Sequence, residues 1–224
     1  MGSVSKGPGA GEIAIAAGEF ALRSTEARAG GASLEHGLVE QCRRGDAQAF
    51  ARLVALHEGM VFNLAARLLG DPEEARDAAQ EVFLHVYRTL GRFEGRSTLK
   101  TWIYRIVVNH CRNRQRWWRR RRKERACPID ALTPADEARL AEQGPRAEGP
   151  EERLERRERA RAVQSALLQL SFEHRAVLLL REVEGLSCEE IAGTLSIAEG
   201  TVKSRLSRAR DALRGALAGR KELQ

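Results

Sequence analysis

The stretch that decides the fold is residues 186–210, Leu-Ser-Cys-Glu-Glu-Ile-Ala-Gly-Thr-Leu-Ser-Ile-Ala-Glu-Gly-Thr-Val-Lys-Ser-Arg-Leu-Ser-Arg-Ala-Arg. It reads as two short helices meeting at a tight turn, the layout of a helix-turn-helix whose second helix enters a DNA major groove. Ser187 and Glu190 form a capping-box pair that opens the first helix, each satisfying a backbone N–H of the other. In the second, Val202, Leu206, Ala209 and Leu213 recur at helical spacing as an inward stripe. Thr201, Ser204, Arg205 and Arg208 fall on the opposite side, with Lys203 beside them. Arginine suits guanine edges, and hydroxyls suit several bases and phosphates. A solvated amphipathic helix is the bland alternative for that stripe, and the capped helix before it weighs against it.

Charge along the chain supports a polyanionic partner. The 224 residues carry a net +7 with pI near 9.7, enough length for one or two compact domains. Residues 34–123 hold 18 basic against 10 acidic side chains, residues 124–156 hold 5 against 9, and residues 157–224 hold 12 against 9. Two basic blocks therefore flank an acidic connector. Residues 124–156 also contain four of the six prolines and sustain no apolar period, so they read as a linker. Residues 1–33, rich in Gly, Ala and Ser, read as a flexible tail, and 220–224 as a short C-terminal one.

Between tail and linker the pattern is helical. Asp46 caps a helix carrying Phe50, Leu53, Val54, Val61, Leu64, Ala65 and Leu68, and Gly70 ends it. Asp71-Pro72-Glu73-Glu74 combines a capping carboxylate, a proline at the first position and two acids at the positive end of the helix dipole. The helix that follows turns Ala75, Ala78, Ala79, Val82, Phe83, Val86 and Leu90 inward. It turns Asp77, Gln80, Glu81, Leu84 and Arg88 outward, a face too acidic for DNA. A third helix begins near Ser97 and carries Trp102, Ile103, Ile106 and Val107 inward. It continues into Arg112–Lys123, where eight cations surround Trp117 and Trp118. Cations bind phosphates and aromatic faces stack on unpaired bases, so this stretch suits a single strand; a solvated charge run is the plain alternative.

Four cysteines without C-x-x-C spacing point to no zinc site, and nothing calls for a cofactor. No apolar run approaches a membrane span and the N-terminal apolar patch is a poor signal peptide, so the chain reads as cytoplasmic.

Taken in order, these parts resemble a bacterial RNA polymerase sigma factor of the extracytoplasmic-function class of the sigma-70 family. The resemblance runs from about Leu38 to Leu217 and rests on three segments: Asp71–Leu84, Leu99–Asn109 and the helix-turn-helix with Gly200-Thr201-Val202-Lys203-Ser204-Arg205-Leu206. It implies an all-α protein of two small helical domains, sigma region 2 at 34–123 and sigma region 4 at 157–219. Asp77, Gln80, Glu81 and Leu84 would dock on the clamp of the polymerase's largest subunit. The terminal domain would sit on the flap of the second largest.

The loop Phe93–Leu99, with Phe93, Arg96 and Ser97, would trap a base flipped from the −10 element. Trp102, Arg105, Asn109, Arg112, Asn113 and Arg116 would lie near the melted strand. Glu199, Thr201, Lys203, Ser204, Arg205 and Arg208 would read the duplex −35 element. The linker would thread toward the RNA path, and an anti-sigma factor would hold the protein inactive. Ser196 and Ala198 stand where the family usually has Gly at the turn and Ser or Pro at the cap, which implies a strained turn and a frayed helix start.

Two rival classes leave residues unexplained. An autonomous helix-turn-helix regulator gives no role to the Asp71 helix or to Trp117-Trp118. A nuclease would need carboxylates or histidines converging on a metal or scissile phosphate, whereas Asp71, Glu73, Glu74 and Asp77 are accounted for by capping and an exposed face. The expectation is a specificity factor, not an enzyme.

Overall fold

Asp46 begins the first long helix by accepting from the backbone N–H groups of Gln48 and Ala49 at 2.8 and 3.1 Å. The computed structural model describes residues 37–121 and 149–221, so the expected tail, most of the expected linker and the end of the basic run lie outside the described residues. A short helix α1 (37–43) precedes α2 (Ala47–Leu69), α3 (Pro72–Thr89), a single 3-10 turn (Leu90–Arg92) and α4 (Leu99–Arg121). After the undescribed stretch come α5 (Pro150–Gln169), α6 (Phe172–Leu178) running into a π-turn (Leu179–Val183), α7 (Cys188–Leu195) and α8 (Glu199–Lys221). The protein is all-α, with two helical modules.

In the first module α2, α3 and α4 pack mutually around Leu53, Val61, Leu64, Leu68, Val82, Val86, Ile103, Tyr104 and Val107, each fully buried. Gly70 ends α2 at φ 78°, a left-handed conformation that glycine adopts without a Cβ penalty. Asp71 then caps α3 through the N–H groups of Glu73 and Glu74. The second module buries Phe172, Val177, Leu180, Ile191, Val202 and Leu206.

Four details differ from the sequence expectations. Helix α4 starts at Leu99 and α5 at Pro150, inside the stretch expected to be linker. Trp102 and Ile106 are only partly buried because they line a cleft, whereas Tyr104 and Val108 complete the core. Val163, expected inward, is 42% exposed, since α5 is covered on the faces of Ala166, Leu167 and Leu170 instead.

Candidate polymerase and nucleic-acid interfaces

Helix α3 presents Asp77, Gln80, Glu81 and Leu84 outward at i, i+3, i+4 and i+7, all four exposed, while Ala75, Ala78, Val82 and Val86 hold the opposite side in the core. Leu84 is 47% exposed, a large apolar side chain set among acids. Asp77 is not solely solvated: Arg114 of α4 donates from Nη2 to its Oδ2 at 3.0 Å and from Nε to Glu74. Those two carboxylates hold the Arg114 guanidinium above its ordinary pKa although burial opposes them. The sequence reading did not single out Arg114, because its acidic partners lie 37 and 40 residues away.

Around the edge of that helix, α3 and α4 enclose an open cleft of about 330 Å³ lined by His85, Thr89, Arg92, Trp102, Arg105, Ile106, Asn109, His110 and Asn113. Of the side chains expected at a melted strand, Trp102, Arg105, Asn109 and Asn113 meet here. Phe93 packs on Trp102 with ring centroids 5.4 Å apart. Arg96 and Ser97 stay on the exposed loop, Arg96 bridging Glu94 at 2.5 Å. Arg116 is exposed further along α4, and Arg112 turns the other way, its guanidinium 5.7 Å from the centre of the Phe172 ring. His85, Thr89, Arg92 and His110 are additional lining residues. His85 and Thr89 continue the register of Glu81 along α3, which is the signal that could have found them, and Arg92 follows on the 3-10 turn. Burial and the Arg114 charge lower the His110 pKa, so its ring is neutral at pH 7. The cleft thus offers amides, a guanidinium pair and an indole face within one space, a combination suited to a base and its phosphate.

The helix-turn-helix is built as its spacing implies. Ser187 Oγ accepts from the Glu190 N–H at 3.1 Å and the Glu190 carboxylate accepts from the Ser187 N–H at 2.7 Å. Ser196 closes α7 at φ 55° and ψ 50°, the strained left-handed turn expected of a non-glycine residue there. The expected fraying at Ala198 is not found: its carbonyl accepts from both Thr201 and Val202 N–H groups, at 2.9 and 3.1 Å, which closes the first turn of α8. Val202, Leu206 and Ala209 are buried. Glu199, Lys203, Ser204 and Arg208 are exposed, and Thr201 and Arg205 half-buried. Lys203 bonds Glu199 at 2.8 Å, which raises its pKa, and Ser204 donates to the Thr201 carbonyl at 3.0 Å, keeping its oxygen lone pairs outward.

A capped helix-turn-helix and a separate basic, aromatic cleft define a two-module, all-helical DNA-reading protein. Residues 53–124 match the family described as Sigma-70 region 2 and residues 160–213 that described as Sigma-70, region 4. The chain is 40% identical over 184 residues to the RNA polymerase sigma-H factor of Pseudomonas aeruginosa, covering 80% of this chain and 92% of that one. It is 33% identical to the ECF RNA polymerase sigma factor SigW of Bacillus subtilis, over 79% of this chain and 92% of that one. Among solved structures it is similar to the sigma factor RpoE of Bartonella quintana, solved in complex with the anti-sigma factor NepR. That match has a TM-score of 0.60 and 23% identity, and covers 77% of this chain and 98% of that one. The chain belongs to the sigma-70 family of RNA polymerase sigma factors, in its extracytoplasmic-function class.

Proposed function

We propose that this alternative sigma factor docks the outer face of α3 on the clamp of core polymerase, takes a melted −10 base into the α3–α4 cleft, and reads the −35 duplex with α8. The observation that carries the reading is the separation of chemistries within the first module: an acidic face with an exposed leucine on α3, and aromatic, amide and guanidinium groups gathered on α4. An acidic face repels DNA and suits a basic protein surface, while the cleft suits a single strand. Asp77, Gln80, Glu81 and Leu84 hold polymerase. Phe93, Arg96, Ser97, Trp102, Arg105, Asn109, Arg112, Asn113 and Arg116 serve the −10 strand. Glu199, Thr201, Lys203, Ser204, Arg205 and Arg208 serve the −35 element.

Melting draws on binding free energy, since extruding one base costs a few kcal/mol, and no bond is made or broken by this chain itself. Residues 34–123 and 157–219 act as the two working modules, with 124–156 between them. An anti-sigma factor is the natural regulator, a partner of the kind with which the Bartonella quintana RpoE was solved. Among the described residues no helix is long and apolar enough to cross a membrane, and the protein works where polymerase and promoters are. The test is transcription from a promoter-fragment library by purified core polymerase with and without the chain. Specific transcripts only in its presence are expected. Absence of any complex with core at micromolar concentration would overturn the α3 assignment.

A further inference from the structure

Helix α3 carries an apolar strip that the fold leaves uncovered. Leu84 and Tyr87, three residues apart on one helix face, are 47% and 63% exposed. Across from them on α2, Phe50 is half-buried and meets the Tyr87 ring edge-on, with centroids 5.0 Å apart. Three large apolar groups thus sit together at one end of the first module, where α2 begins and α3 finishes. Contiguous exposed apolar surface of this kind marks a contact site. Asp77 and Glu81 precede the strip along α3, whereas Arg88 follows it, exposed, and Arg52 lies exposed two residues beyond Phe50. Docking on the polymerase clamp uses Leu84 but gives no part to Tyr87 or Phe50.

The sequence ahead of α1 supplies an occupant. Among the 36 residues before that helix, bulky apolar side chains concentrate in Ile13, Ile15, Phe20 and Leu22. A spacer needs small and polar residues, and has no use for such a cluster. The charged side chains of Glu12–Leu22 are Glu12 and Glu19, opposite in sign to Arg52 and Arg88. The path of the chain leads to the right end of the module. Arg43, the last residue of α1, donates to the Phe93 carbonyl, just beyond the 3-10 turn that follows α3. Residues 23–36 separate Leu22 from α1, and a coil of that length reaches about 20 Å. That exceeds the ~10 Å length of α1 and lets the segment return to the last turns of α3.

We infer that the segment Glu12–Leu22 is an intramolecular cover for the strip formed by Phe50, Leu84 and Tyr87, and that it competes with core polymerase for Leu84. The competition rests on the reading above for the partner of α3; the cover itself does not. Tethering makes even a weak contact effective, because a short connection supplies an effective concentration of about 1 mM. A contact with an intrinsic Kd of ~0.1 mM is then made about nine-tenths of the time. Polymerase meets the bare strip in about a tenth of the molecules, which lowers its apparent affinity about tenfold.

The test uses the full chain with Phe20→p-benzoylphenylalanine, a photoreactive group of similar shape placed outside both modules. Irradiation is expected to give a product that migrates as a monomer, with the crosslink mapped to peptides holding Phe50 or residues 84–88. Adding Leu22→Asp to that chain should remove most of it. A crosslink to the same peptides in a product of dimer mobility would mean that a second copy supplies the cover, and overturns the intramolecular claim. Crosslinks elsewhere, or none, remove the strip as the docking site. Core polymerase binding is then compared for the wild type and the double change Phe20→Asp and Leu22→Asp. The variant should bind about tenfold more tightly, with circular dichroism and binding to a −35 duplex unchanged. Equal affinities beside a monomeric crosslink would overturn the competition. Failure of both chains to bind core would instead refute the polymerase reading, with the crosslink still deciding the cover.

Discussion

Single side chains here carry more than one duty, and Arg175 carries the most. Burial pushes its pKa down to about 10, still far above neutrality, so a full charge sits in the interior among carbonyl oxygens. Replacing it with alanine strands several buried acceptors at once, and Arg175→Ala is expected to lower stability by about 3 kcal/mol in urea unfolding. Arg175→Lys keeps the charge and loses the fork, so it should recover less than half of that.

Glu184 makes a pH-dependent contribution. Burial raises its pKa above the usual carboxylate range, although the Tyr104 hydroxyl, Lys100 and Arg67 pull it back. An acid bound more tightly to its proton in the folded state stabilises that state at pH below its ordinary pKa, and the contribution is lost as pH rises through the raised value. Stability should therefore gain at mildly acidic pH relative to pH 7, and Glu184→Gln should flatten that part of the profile in thermal unfolding. None of this was visible in the sequence, where Arg175 and Glu184 are two of many charges in a helical pattern. Their meaning comes from the module packed against them.

At the scale of elements, local chemistry was almost fully legible. Asp46, Asp71 and the Ser187–Glu190 pair cap where their spacing says, because a helix start leaves donors that only a nearby side chain can meet. The inward stripes of α3 and α8 followed the 3.6-residue period for the same local reason. What periodicity could not give was the α3–α4 cleft, since His85 and Thr89 become a wall only when α4 lies beside them. Nor could it give the outward turn of Val163, which depends on which face of α5 is covered. Ser196 tests the energetics of the turn. A non-glycine residue in the left-handed region costs roughly 1–2 kcal/mol, and glycine returns part of that gain through its unfolded-state entropy. Ser196→Gly is expected to stabilise the chain by about 0.5–1 kcal/mol, read as a rise in Tm. Ser187→Ala should cost about 1 kcal/mol through loss of the capping box. If both changes are neutral, the turn is not what holds α8 in place.

Across the whole molecule, weak recognition at two places becomes strong only when both modules act on one polymerase. Carrying both modules on one chain makes the second contact intramolecular, and such tethering multiplies affinity by about 10²–10⁴ without a new contact. That sets different expectations for two kinds of variant. Arg208 is exposed on α8 and Arg105 lines the cleft on α4, more than ninety residues away in sequence. Loss of one good base contact costs ~1–3 kcal/mol, so Arg208→Ala should relax selection at one −35 position while −10 selection stays intact. Arg105→Ala should do the reverse, slowing strand opening on linear fragments and less so on premelted ones, since a premelted template supplies the unstacking energy itself. Combined, the two changes should cost close to the sum of their separate effects on promoter affinity, because the two side chains serve different promoter elements and additivity holds for distant positions. The measurement is holoenzyme binding to a promoter panel varied at each element, with duplex and bubble templates compared. A large departure from additivity would mean that the modules stay coupled on the promoter, as they are in the packed structure, instead of acting as separate readers on a common polymerase.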